Sequence, residues 1–259
     1  MSDLKLKDRI ESYYNSTDYK ILNRVPIITC INGRGFSKST SLLDKPYCKE
    51  FAEVMHSTML RLCSEIEGAF FGYQYNDEII IISRNDQNID TASWYDNKLQ
   101  KICSVTSAIA TKQFNKISSN LNIMGDAIFT SHVFIVPTIA EAINTCIYHQ
   151  QHNFYIAIQS ACFYELLKKY NKNSIKEMLS GLSVDEKIDL LKQECDIDFH
   201  NYPIAFRRGV AGYKVPKVVN EVMKNKWVIN NNLPIFTKEQ SFLGNIFRMG
   251  SDIFRNSSL

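Results

Sequence analysis

The order of strands and helices in the first half of the chain constrains its fold more than any other feature. Short runs of β-branched and aromatic residues predict four strands, at 25–31, 69–73, 79–83 and 128–136. Apolar residues at intervals of three and four predict two helices, at 46–66 and 92–114. The resulting order, strand-helix-strand-strand-helix-strand, is that of the split βαβ fold. We therefore predict an α+β protein with an antiparallel four-stranded sheet and two helices on one of its faces.

The second half of the chain has mainly helical patterns. Amphipathic segments are predicted at 139–147, 154–170, 174–182 and 185–194. The residues after Gly209 give mixed signals, with a turn at Asn230–Pro234. We predict a first domain over residues 1–137 and a mainly helical C-terminal extension over residues 138–259 that packs on it.

The composition is that of an ordinary globular protein. Apolar residues make up 45% and charged residues 22% of the 259 residues, which is enough for a full core. The net charge of +3 permits a nucleic-acid partner without indicating one, because such binding needs local clusters of basic residues. Clusters occur at Lys168-Lys169/Lys172, Arg207-Arg208, Lys214/Lys217 and Lys224/Lys226, and each is equally consistent with a solvated surface.

The cysteines and histidines give no clear metal signature. The seven cysteines contain no CxxC pair, so their spacing indicates neither a zinc site nor a disulfide framework. His149 and His152 form an HxxH pair, but two histidines three residues apart, without a third ligand, are more often incidental.

The sequence also predicts where the protein works. Scattered free thiols favour a reducing compartment. The N-terminus is charged and lacks the apolar core of a signal peptide, and no apolar run approaches the ~20 residues that span a bilayer. We expect a cytoplasmic protein without a membrane partner, and the nucleus and mitochondria stay open as alternatives.

Two short motifs indicate the chemistry. Gly33-Arg34-Gly35 follows the first predicted strand, and Asp77-Glu78 lies in the turn between the second and third strands. The split βαβ topology brings these two turns to the same end of the sheet. A carboxylate beside a glycine turn with free backbone N–H groups can hold a metal-nucleoside triphosphate. Taken alone, each motif is more commonly a plain turn.

Read in order along the chain, the motifs resemble those of the tRNA-His guanylyltransferase family and its 3′–5′ polymerase-like relatives. The matching elements are IxGRGF at 31–36, Lys45-Pro46 before a helix, GYxxxDE at 72–78 and a proline-terminated strand. The resemblance implies a polymerase-like palm that adds a nucleotide to the 5′ end of tRNA by a Mg²⁺-dependent, two-metal mechanism. It also implies GTP and ATP as nucleotides, two Mg²⁺ ions, tRNA or a tRNA-like RNA as partner, and a homotetramer or dimer.

The resemblance further implies roles for individual residues. Asp77, Asn32 and Glu78 take the catalytic positions, and Asp77, Asn32 and the Gly33 carbonyl take those at the metal. The residues at nucleotide-binding positions are Gly33, Arg34, Gly35, Phe36, Ser37, Lys45, Asn76, Lys98 and Lys101.

The chain departs from the family's pattern at several of its motifs. The family's RxDG becomes Cys30-Ile31-Asn32-Gly33, which removes an arginine and the first metal-binding aspartate. FDAR or FDGR becomes Phe129-Thr130-Ser131-His132, and WRQ becomes Tyr148-His149-Gln150. An asparagine still offers Mg²⁺ a neutral oxygen, but it bridges two ions less well than a carboxylate does. Two hypotheses follow: an active nucleotidyltransferase, or a diverged, catalytically weak protein that binds nucleotide or tRNA.

Overall fold

A computed structural model of the chain describes residues 5–86, 90–219 and 222–252. Residues 1–4 and 253–259, at the outer ends of the two predicted domains, lie outside the described residues. The strands form one antiparallel sheet in the order β4-β1-β3-β2-β5-β6. They are β1 (Ile27–Gly33), β2 (Ala69–Tyr75), β3 (Glu78–Ser83), β4 (Phe129–Ile135), β5 (Val210–Val219) and β6 (Val222–Asn230).

Both helices predicted in the first half of the chain are present, preceded by two shorter ones, and helices make up most of the second half. Short 3₁₀ turns at Trp94–Asn97 and Phe199–Asn201 precede two of them. The helices are α1 (Leu6–Asn15), α2 (Phe36–Ser39), α3 (Lys49–Glu65), α4 (Leu99–Ile117), α5 (Ile139–Leu166), α6 (Lys172–Leu179), α7 (Val184–Cys195), α8 (Ile204–Arg208) and α9 (Gln240–Asp252).

The sheet lies between two layers of helices, because successive side chains of a strand point to opposite faces. Ile79 and Ile81 of β3 pack with residues of α3 and α4, which confirms the prediction of two helices on one face. Ile80 and Ile82 pack on the other face, against residues of α5 and α9. All four isoleucines are buried. The run of isoleucines in β3 therefore reflects burial on both faces.

The hairpin of β5 and β6 is the main difference from the predicted helical C-terminal part. β5 pairs with β2, with Phe71 opposite Tyr213, so the hairpin extends the sheet of the first half from four strands to six. Lysines and asparagines at many hairpin positions hide the alternation that would indicate a strand. The domain boundary at residue 137 stays a prediction.

Helix α5 replaces the two separate helices predicted at 139–147 and 154–170. It runs unbroken for 28 residues through the polar stretch 148–153. The polar residues of that stretch indicate a break between two helices. However, His149, Gln150 and Asn153 are buried, because the helix passes through the interior there. Neither α5 nor any other helix in the described part of the chain is long and apolar enough to cross a membrane.

Candidate active site

The two motifs meet at one end of the sheet. Asn32, near the end of β1, lies directly opposite Glu78, the first residue of β3. The backbone N–H of Gly33 donates to the carbonyl oxygen of Asp77 at 3.0 Å. The glycine turn and the turn of the β2–β3 hairpin are therefore in direct contact.

The ring of Phe36 fixes the glycine turn. Gly35 adopts a left-handed conformation with φ of 70°, which glycine allows without strain. A Cβ on Gly33 would lie 2.2 Å from Phe36 Cδ2, so only glycine lets the backbone pass over this ring. Phe36 is buried against Phe114 and Phe129, with ring centroids 5.4 and 5.0 Å away. Phe36, which the resemblance places at a nucleotide-binding position, thus packs in the core and holds the turn in place.

A cavity of about 360 Å³, which we name the turn cavity, opens between the glycine turn and the hairpin turn. This volume lies within the ~300–1,000 Å³ range of small-molecule sites. Its lining is mixed: Lys45 Nζ donates to Thr40 Oγ1 at 3.2 Å and lies 5.8 Å from the centroid of the Tyr164 ring. Tyr164 of α5 and Phe206 of α8 are aromatic residues of this lining. The predicted residues that line the turn cavity are Gly35, Phe36, Ser37, Lys45, Asn76 and Asp77.

Burial shifts the pKa values of both charged groups in the turn cavity. Burial raises the pKa of Asp77, and the nearby Lys45 ammonium partly opposes this. Burial likewise lowers the pKa of Lys45, against the influence of Cys48 and Asp77. Each shift reflects the free-energy cost of keeping a charge away from water. A bound cation near Asp77 and a bound phosphate near Lys45 would reduce these costs.

Neutral donors hold Glu78 beside this site. With its amide oriented to satisfy its neighbours, Asn32 Nδ2 donates to Glu78 Oε1 at 3.3 Å and to the Ile31 carbonyl at 3.2 Å. The Tyr75 hydroxyl donates to Glu78 Oε2. Burial raises the pKa of Glu78, and the Tyr75 hydrogen bond opposes this. Asn32 is therefore engaged with Glu78 rather than with Asp77.

The structure does not bring Lys98 and Lys101 into the turn cavity. Lys98 Nζ pairs with Asp18 at 2.6 Å, and Lys101 Nζ lies 5.4 Å from the Tyr95 ring centroid. Both lysines lie at the start of α4, where Ile102 packs near Ile27, the first residue of β1. The length of β1 separates that end from the glycine turn by about 20 Å. Their role in nucleotide binding, which the family resemblance implies, stays a prediction.

Arg34 also lies outside the cavity lining, and other residues that line it were not predicted. The backbone N–H of Arg34 donates to the Ile128 carbonyl at 2.7 Å, and the residue is exposed. Gln74 lines the cavity and donates through Nε2 to the Asn76 carbonyl at 2.7 Å, which supports the hairpin turn. His56 also lines it, and burial lowers the pKa of this histidine to about 4. His56 could have been predicted as a site residue, because it is a polar residue within the periodic apolar pattern of α3.

A palm-like sheet with a glycine turn and an aspartate at one end places the chain among polymerase-like palm proteins. The family profile described as tRNAHis guanylyltransferase matches residues 7–137. The chain belongs to this family, which confirms the resemblance found in the sequence.

Curated relatives support the same assignment. The chain is 21% identical to tRNA(His) guanylyltransferase 1 of Arabidopsis thaliana over 214 residues, which are 80% of this chain and 37% of that protein. It is 23% identical to the probable tRNA(His) guanylyltransferase of Dictyostelium discoideum over 204 residues, which are 76% of this chain and 78% of that protein. The chain thus spans little more than a third of the Arabidopsis relative's length.

Solved structures confirm the fold class. A bacterial tRNA(His) guanylyltransferase-like protein in complex with ATP has a TM-score of 0.81 and 26% identity, over 94% of this chain and 99% of that chain. A GTP complex of such a bacterial protein has a TM-score of 0.73 and 26% identity, over 93% and 98%. The Saccharomyces cerevisiae tRNA(His) guanylyltransferase, at 17% identity and a TM-score of 0.68, covers 83% of this chain and 94% of that chain, and it supports the fold alone.

Proposed function

We propose that the chain is a nucleotidyltransferase that adds a nucleotide to the 5′ end of tRNA in the 3′–5′ direction. The observation that carries the proposal is the turn cavity, in which Lys45 and Asp77 lie beside the glycine turn. Family membership supports the reaction. The ATP and GTP complexes of the bacterial neighbours support nucleoside triphosphates as ligands.

The lining of the turn cavity suits the parts of a nucleotide. The Lys45 ammonium offsets phosphate charge, and the backbone of the turn at Gly35 lets phosphate oxygens approach closely. The rings of Tyr164 and Phe206 offer an apolar surface for the base. In the proposed reaction the 5′-phosphate of the RNA first attacks the α-phosphorus of ATP and releases pyrophosphate. The 3′-hydroxyl of the incoming nucleotide then attacks the activated 5′-phosphorus of the RNA and releases AMP, or pyrophosphate when the RNA carries a 5′-triphosphate.

The oxygen donors near the turn cavity fit magnesium. They are the Asp77 carboxylate, the Asn32 amide oxygen and the Gly33 carbonyl, and Mg²⁺ prefers such ligands. Burial raises the pKa of Asp77, so a cation there would offset an existing cost. When bound, Mg²⁺ would stabilise charge on the attacking and leaving oxygens. Asn32 supplies no negative charge to bridge two ions, so we expect the second of the two proposed ions to bind more weakly.

A transfer assay tests the proposal. The purified chain is incubated with 5′-triphosphorylated tRNA, Mg²⁺ and labelled GTP, and label in the RNA is measured. We expect Asp77→Asn to lower the rate roughly 100-fold or more, the size of effect seen when one group that stabilises transition-state charge is lost. Asp189→Asn, an exposed aspartate on α7, is the matched control and should leave the rate unchanged. Equal rates for Asp77→Asn and the parent would refute the site.

The hydrogen bond between Asn32 and Glu78 favours a second candidate function. In that reading the chain binds nucleotide or tRNA with little transfer, because the amide is held by Glu78 and lacks the charge of an aspartate. The variant Asn32→Asp separates the two readings in the same assay. Transfer by the variant but not by the parent would favour the binding protein, whereas transfer by both supports the enzyme.

We also propose that the chain assembles as a homotetramer or dimer. Helix α1 supports this, because it has no buried residue although Leu6, Ile10 and Tyr13 form an apolar stripe that is 65%, 45% and 63% exposed. A helix of only ten residues is marginal in water without a packing partner. Light scattering should give an oligomer for the parent and for Ser12→Glu, on the opposite face of α1, but a smaller species for Ile10→Glu. A monomeric parent would contradict this proposal.

For the compartment we propose the cytoplasm. Cys30, Cys63, Cys146 and Cys162 are free thiols inside the protein, as expected where thiols stay reduced. Imaging of the tagged chain in cells checks this, with nuclear or mitochondrial signal as the opposing result.

A further inference from the structure

Three potential metal ligands, Cys30, Glu78 and His149, lie close together between the sheet and α5, and we name them the Cys30 cluster. Cys30 comes from β1, Glu78 from β3 and His149 from α5, and their ligand atoms all lie within 4.8 Å of one another. His149 Nδ1 lies 4.0 Å from Glu78 Oε1. Cys30 and His149 are only 7% and 8% exposed. The cluster is therefore an interior site and not a chance group of surface side chains.

His149 supplies an independent observation that points to a ligand at this site. Its Nδ1 is buried and has no hydrogen-bond partner among the described residues. A buried nitrogen without a partner destabilises the fold unless a ligand satisfies it. Glu78 is already oriented, since the Tyr75 hydroxyl donates to its Oε2 and leaves Oε1 on the side of His149. Outer hydrogen bonds of this kind fix metal ligands in place.

We propose that Cys30, Glu78 and His149 bind one zinc ion, with water as the fourth ligand. A thiolate, an imidazole and a carboxylate form a ligand set that suits Zn²⁺ and disfavours Mg²⁺. Neighbouring ligands of a tetrahedral zinc ion lie roughly 3.3–3.7 Å apart for its usual bond lengths. Small side-chain movements from the present separations reach that spacing. A surface cleft that reaches Cys30 and His149 gives access for the ion and the water.

Zinc binding would also act on the protonation of Cys30. Burial, with a smaller effect of Glu78, raises the pKa of the Cys30 thiol to about 12, so the thiol is neutral without a metal. A coordinating thiol is deprotonated by zinc, and binding then releases a proton.

The Cys30 cluster is distinct from the proposed magnesium site but touches it. Glu78 Oε1 is the oxygen that accepts from Asn32. A zinc ion on that oxygen would compete with Asn32 for it and free the amide beside Gly33. Glu78 takes a catalytic position in the family resemblance, but Asp77 and all residues of the glycine turn are absent from the cluster, so the zinc proposal does not rest on the proposed function.

Metal binding to the purified chain tests the proposal. After removal of metals by chelator and dialysis, the chain is titrated with Zn²⁺ against a zinc-binding dye, and bound zinc is counted by mass spectrometry. We expect one zinc ion per chain, retained in excess Mg²⁺. Co²⁺ in its place should give the intense thiolate-to-metal absorption of a cysteine ligand. Cys30→Ser should abolish that absorption, and both Cys30→Ser and His149→Gln should weaken zinc binding by at least about 100-fold, beyond the 10–100-fold of an outer-shell change.

Matched variants make the test selective. Cys146→Ser alters another buried cysteine of the same core, and His152→Gln alters the exposed partner of His149 in the HxxH pair. Both should bind zinc like the parent. Asp77→Asn should also keep the zinc while losing transfer, which separates failure of this site from failure of the proposed function. Circular dichroism of the metal-free proteins shows whether each variant is folded. A parent without bound zinc, or a Co²⁺ spectrum unchanged in Cys30→Ser, would overturn the proposal.

Discussion

At the level of single residues, Asp77 lowers the stability of the metal-free fold and favours the binding of a cation. Its carboxylate is half-buried at the end of a sheet, and Lys45 is the positive charge that acts on it. Burial nevertheless outweighs this attraction and raises the pKa. A group that is unfavourable in the empty site and useful once a cation is bound is typical of binding sites.

The pH dependence of stability follows from the direction of this shift. Because the folded-state pKa of Asp77 lies above its unfolded value of 3.8, the buried charge destabilises the fold at neutral pH. As the pH falls through the raised pKa, the folded state takes up the proton and this cost is lost. We expect Asp77→Asn to stabilise the metal-free fold at neutral pH, with a gain that shrinks in mild acid.

Urea unfolding in a chelator, at neutral and mildly acidic pH, measures this difference. Asp189→Asn is the control, since that aspartate is exposed and its removal should change neither value. A loss of stability in Asp77→Asn at neutral pH would mean that the backbone hydrogen bond to the carboxylate and the Lys45 charge together outweigh burial. Added Mg²⁺ should stabilise the parent more than the variant.

The residues of the site were predictable where the signal is local. Gly33, Gly35 and Asp77 stand in turns whose residue types follow from backbone geometry, so their meeting could be inferred from topology. Tyr164 and Phe206 reach the turn cavity from far along the chain, and nothing in their own segments indicates this. The Cys30 cluster was hidden for the same reason, because its ligands come from three separate elements.

At the scale of elements, α5 continues through a polar stretch because tertiary contacts satisfy that stretch. Gln150 is 5% exposed and donates through Nε2 to the Pro234 carbonyl at 2.9 Å. Its Oε1 accepts from the backbone N–H of Phe236 at 2.8 Å. One side chain thereby ties α5 to the segment that leads from β6 to α9.

We expect Gln150→Leu to destabilise the fold by about 2–4 kcal/mol. Leucine has a similar volume, but it leaves the Pro234 carbonyl and the Phe236 N–H without partners, and each stranded group costs about 1–3 kcal/mol. Denaturant unfolding measures the change. The matched control is Gln151→Leu, an exposed neighbour on the same helix, which should stay within about 0.5 kcal/mol of the parent. Equal stability of the two variants would show that the buried amide is not needed.

The elements that were mispredicted share one physical cause. Hydrophobic periodicity predicts a helix or strand when burial alone decides which residues are apolar. That condition holds for α3, α4 and β1 to β4. It fails in α5, where buried polar groups find hydrogen-bond partners, and in the β5–β6 hairpin, where exposed lysines occupy strand positions.

At the scale of the whole molecule, the basic clusters separate into two kinds. Several of their members already serve the fold: Arg207 donates to the Tyr202 carbonyl at 2.8 Å and Arg208 to the Leu233 carbonyl at 3.0 Å. Lys168 pairs with Glu165 at 2.6 Å, and Lys214 donates to the Ala69 carbonyl at 3.1 Å. These charges are therefore poor indicators of an external partner.

The lysines of the β5–β6 hairpin are different. Lys217 lies directly opposite Lys224, and Lys226 follows two residues later on the same face of β6. All three are exposed, and none forms an ion pair with a carboxylate of the described residues. Like charges directly opposite each other destabilise a sheet. We infer that this lysine face, made of Lys217, Lys224 and Lys226, contacts the phosphates of the proposed RNA substrate.

The salt dependence of tRNA binding tests the lysine face. Each phosphate contact contributes about 0.7–0.9 to the slope of log affinity against log salt concentration. Replacing the three lysines with glutamine should therefore lower the magnitude of that slope by roughly 2–3 and weaken binding at low salt. The matched control replaces Lys168, Lys169 and Lys172, two of which already contact the protein, and should leave the slope close to that of the parent. An unchanged slope in the hairpin variant would show that tRNA contacts the protein elsewhere. An equal loss in the control would show that net charge alone governs the interaction.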